Sequence, residues 1–116
     1  MSQVLSLSRR EPLSDFKGIA KTLSEQSDSE LVSVFRVSSD SIVICMEKYF
    51  LRTDSYAACT VVLEILDDGT KATVVGFGGG ERLWMAGEQF YNVSLGANAS
   101  LAHEAASVLR EYYDFE

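Results

Sequence analysis

Hydrophobic and polar positions along this chain follow two rhythms, helical near both ends and strand-like between them. From Leu13 the apolar residues Phe16, Ile19, Ala20 and Leu23 recur at a spacing that lines one face of a helix. Pro12 suits a first turn, and Ser14 or Ser8 can cap it, since Ser8-x-x-Glu11 has capping-box spacing. The polar run Gln26-Ser27-Asp28-Ser29 ends that pattern. Four runs rich in β-branched and aromatic residues follow: Leu31–Val37, Ile42–Leu51, Tyr56–Leu66 and Lys71–Phe77. Ser38-Ser39-Asp40-Ser41, Arg52-Thr53-Asp54-Ser55 and Asp67-Asp68-Gly69-Thr70 separate them. Links this short cannot make parallel crossovers, so an antiparallel meander is expected. Gln89–Leu95 reads as a fifth strand, and Ser100 or Asn98 then caps a last helix striped with Leu101, Ala105, Val108, Leu109 and Tyr112. The expected fold is α+β, one domain over residues 1–116. It runs helix, four- or five-stranded antiparallel meander, C-terminal helix, with both helices on one sheet face.

The turns also suggest a register. Pairing Leu51 with Tyr56 sets Met46 opposite Val61 and Ile44 opposite Leu63. Closing the next hairpin at Asp68-Gly69 sets Leu63 opposite Val74, Val61 opposite Gly76 and Cys59 opposite Gly78. Side chains alternate with period two, so one face gathers Ile42, Ile44, Met46, Val61, Leu63 and Val74, with Lys48 and Cys59 among them. The helices should pack there. The other face carries Val43, Cys45, Glu47, Tyr49, Tyr56, Val62, Val75 and Phe77, which is too apolar for a bare solvated surface. Its expected cover is a second copy of the chain, with the Leu83–Met85 segment and the tail Tyr112-Tyr113-Asp114-Phe115 as rivals. Cys45 and Cys59 point to opposite faces in this register and cannot bridge within a chain.

Composition narrows the function classes. The chain has 116 residues, 47% hydrophobic and 23% charged, which suits one ordinary globular core. A net charge of −7 argues against nucleic acid and anionic membranes, and the only basic pair is Arg9-Arg10. No apolar run reaches membrane-spanning length, and Met1 to Arg10 lacks the apolar region of a signal peptide. A cytoplasmic protein is expected. Without a secretory signal, Asn92-Val93-Ser94 and Asn98-Ala99-Ser100 are chance sequons.

Candidate chemistry is sparse. Gly76-Phe77-Gly78-Gly79-Gly80 puts four of the eight glycines in five residues, which calls for close approach by a helix, a subunit or a ligand. Gly76-x-Gly78 opens like a dinucleotide fingerprint, but Glu81 stands where a third glycine belongs and no βαβ unit surrounds it. Glu47, Tyr49 and Tyr56 share a face at one hairpin end. With Gly78, Gly79, Gly80 and Trp84 they form the candidate ligand-binding set. His103, the single histidine, has neither an orienting partner nor a nucleophile in view, so no catalytic set is recognised. No metal-ligand spacing exists, and no cofactor is implied.

The pieces Glu47-Lys48-Tyr49-Phe50, Ser55-Tyr56-Ala57-Ala58, Gly78-Gly79-Gly80 and Ser94-Leu95-Gly96-Ala97 resemble a family of small uncharacterised bacterial proteins. The resemblance covers about half the chain and keeps the order strand, hairpin, strand, glycine run and terminal helix. It implies an α+β fold and brings no activity, cofactor or site residue. The functional expectation is therefore a non-catalytic cytosolic module that self-associates, most simply as a homodimer, or binds a protein partner. The alternative is a small-molecule binder using the Gly76–Trp84 loop.

Overall fold

A computed structural model describes residues 2–50, 55–78 and 101–116. In chain order the elements are β1 (Ser2–Arg9), α1 (Phe16–Gln26), β2 (Glu30–Ser38), β3 (Ser41–Phe50), β4 (Ser55–Leu66) and β5 (Gly69–Gly78). A helix over residues 101–113, here α2, closes the fold. The strands form one sheet of order β1-β5-β4-β3-β2, every neighbouring pair antiparallel. Four consecutive strands thus make a meander. β1 joins its far edge, and α1 carries the chain back to the opposite edge.

Both helices bury their apolar stripes against one face. Phe16, Ile19, Ala20 and Leu23 of α1 and Leu101, Ala105 and Leu109 of α2 share a core with Ile44, Met46, Val61, Leu63 and Val74. The Arg36 guanidinium lies 5.5 Å from the centroid of Phe16, fastening the start of α1 to the edge strand. Buried Thr70 ties down the connection before α1: its hydroxyl donates to the Glu11 carbonyl at 2.9 Å and accepts from the Leu13 N–H at 3.1 Å.

Four details of the sequence reading change. β1 is a strand that the helical reading of Ser8-x-x-Glu11 concealed: Leu5 and Leu7 meet the core while Ser6 and Ser8 face out. The cap of α1 is neither Ser14 nor Ser8 but Asp15, whose carboxylate accepts from the Gly18 N–H at 3.0 Å. Both hairpin registers lie two residues from the expected ones. Ile44 faces Val61, Met46 faces Cys59, Val61 faces Val74 and Cys59 faces Gly76. The reason is in the turns: Phe50 pairs with Ser55, and Asp67-Asp68 alone separates the paired Leu66 and Gly69. A shift of two keeps every side chain on its expected face.

The fourth change concerns the tail. Asp114 adopts a left-handed φ of 60°, which turns Phe115 into the core. Glu116 then exchanges two backbone hydrogen bonds with Ser8, at 2.8 and 3.2 Å, along the open edge of β1. The end of the tail therefore packs with the core and β1 rather than over the helix-free face. The expected strand Gln89–Leu95 and the rival cover Leu83–Met85 lie outside the described residues.

Candidate functional site

Alternation along the strands builds the helix-free face. Cys45, Thr60, Val62 and Val75 form its half-buried middle, while Val4, Phe35 and Phe77 stand out from it, 58%, 50% and 42% exposed. Nothing among the described residues lies over these groups. Val4 and Phe35 were not in the sequence-based list because β1 was unread and β2 had no register. Two bulges complicate β2, where Val32 and Val37 are extra residues between paired neighbours.

At one end of this face Tyr49 and Tyr56 are direct cross-strand partners, ring centroids 5.1 Å apart and planes inclined by 56°. Such tilted contact suits the quadrupoles of the two rings. Glu47 sits two residues before Tyr49, so it shares the face, and its partner on β2 is Glu30. Asp28 and Ser29 complete a shallow notch of about 510 Å³ with these side chains and Lys48. Asp28 is placed there by the end of α1. The Asp28 N–H donates to the Glu25 carbonyl and the Ser29 N–H to the Ser24 carbonyl, a Schellman pattern with Asp28 at φ 53°. Of the candidate set, the structure brings Glu47, Tyr49 and Tyr56 together. Gly78 ends β5 in register with Ala57, and Gly79, Gly80 and Trp84 lie outside the described residues. Glu30 and Asp28 were missed. Extending the β2–β3 hairpin from Ser38-Ser39-Asp40-Ser41 was the signal that could have found Glu30, but the bulge at Val32 disturbs the count.

The opposite side of the same hairpin end is structural. Lys48 points toward the helices, where its ammonium donates to both oxygens of Glu104, at 2.9 and 3.1 Å, and to the Ser27 carbonyl at 2.9 Å. It meets the carbonyl end of α1, where a positive charge is favoured. His103 is exposed on α2. Gly76 is buried beside Cys59 on the helix-bearing face. Burial, with Cys45 nearby, pushes the Cys59 thiol up to about 12, so it stays protonated and unreactive at neutral pH. Among the described residues no three His, Cys, Asp or Glu side chains are grouped to hold a metal ion, and no helix is long and apolar enough to cross a membrane. Compared with known proteins, the chain matches no protein-family model, no curated protein and no solved structure.

Proposed function

We propose that the protein is a non-catalytic cytoplasmic module that works by self-association, two copies meeting through their helix-free sheet faces. The observation that carries this reading is the half-exposure of Val4, Phe35 and Phe77 on a face opposite both helices. Fully burying one such side chain is worth about 1.5–3 kcal/mol, so a partially exposed set retains a large driving force. The area also suits a second copy. Five strands about 4.8 Å apart and some 30 Å long present about 700 Å² a side, near the usual share of a stable dimer interface. A two-fold contact needs only that this one surface be complementary to itself. The cytoplasm suits two thiols that sit on opposite faces of the sheet.

Sedimentation velocity tests the reading on three proteins: the parent, Phe77→Asp and Phe35→Asp. Both substitutions fall on exposed positions and should leave folding intact while converting a dimer to monomer. A parent that sediments as a monomer throughout its soluble range would remove the proposal. The second reading, binding of a small ligand, is favoured by one observation, the aromatic notch at Tyr49 and Tyr56.

A further inference from the structure

We draw no further inference here: the strongest candidate, the outer edge of β1 where Glu116 exchanges two backbone hydrogen bonds with Ser8, carries nothing, because nothing among the described residues shows what covers the rest of that edge.

Discussion

The Lys48 ammonium lies 2.9 Å from Oε2 of Glu104 and 2.9 Å from the Ser27 carbonyl, so one side chain joins β3, α1 and α2. This is why a lysine sits on the helix-bearing face of the sheet. Its stem crosses apolar ground and its head reaches the polar seam between the helices. Lys48→Met keeps the stem and removes the head. It is expected to lower unfolding free energy by about 1–2 kcal/mol, because the carbonyl and carboxylate lose their shared donor. Glu104→Gln should cost less than about 1 kcal/mol, since Glu104 is partly solvated. Urea melts that rank the two in the opposite order would contradict this account of Lys48.

Gly69 begins β5 at a φ of 152°, and a Cβ there would press into the Arg9 carbonyl of β1. The obstacle is backbone, which cannot swing aside as a side-chain tip can. Gly69→Ala is expected to cost about 1–3 kcal/mol and to loosen the β1–β5 pairing first. Hydrogen exchange of the β1 amides should accelerate more than that of β3. Equal protection in parent and variant would show that the two strands have room to spare.

Asp28 occupies a left-handed position that glycine takes without a side-chain penalty. Asp28→Gly should therefore leave the helix end intact and stabilise the fold by about 0.5–1 kcal/mol. A destabilised variant would mean that the Asp28 side chain contributes more to the end of α1 than its backbone strain costs.

Much of this was legible in the sequence, and the errors have physical causes. Facial alternation over β3, β4 and β5 is so regular that the set Ile44, Met46, Val61, Leu63 and Val74 survives the two-residue error in each hairpin. Register itself depends on which residues close a turn, and the sequence allows Asp67-Asp68 as readily as Asp68-Gly69. β1 escaped because Ser6 and Ser8 hold two of its outward positions, and serines next to Pro12 look like a helix cap. At the site, Glu47, Tyr49 and Tyr56 were placed by simple alternation. Glu30 and Asp28 reach the notch through a bulged edge strand and a helix end, neither of which has a periodic signature.

Cys59 makes stability depend on alkaline pH. Its folded value of about 12 lies above the ordinary thiol value of 9.0, so only the unfolded chain ionises appreciably as pH rises through 9. The contribution is fully present below pH 9 and is lost between about 9 and about 12. Unfolding free energy from urea melts should fall by roughly 1 kcal/mol more between pH 9 and 10 in the parent than in Cys59→Ala. Parallel pH profiles for the two proteins would rule out a buried, protonated thiol.

The proposed dimer sets the helix-free sheet face against a second copy of itself, and mass measured against concentration tests it most directly. Static light scattering on a dilution series of the parent should approach twice the 12.8 kDa of one chain at high concentration and fall toward 12.8 kDa on dilution. Phe77→Asp should stay at the single-chain mass across the same series. A parent that remains at 12.8 kDa at its highest soluble concentration would contradict the account.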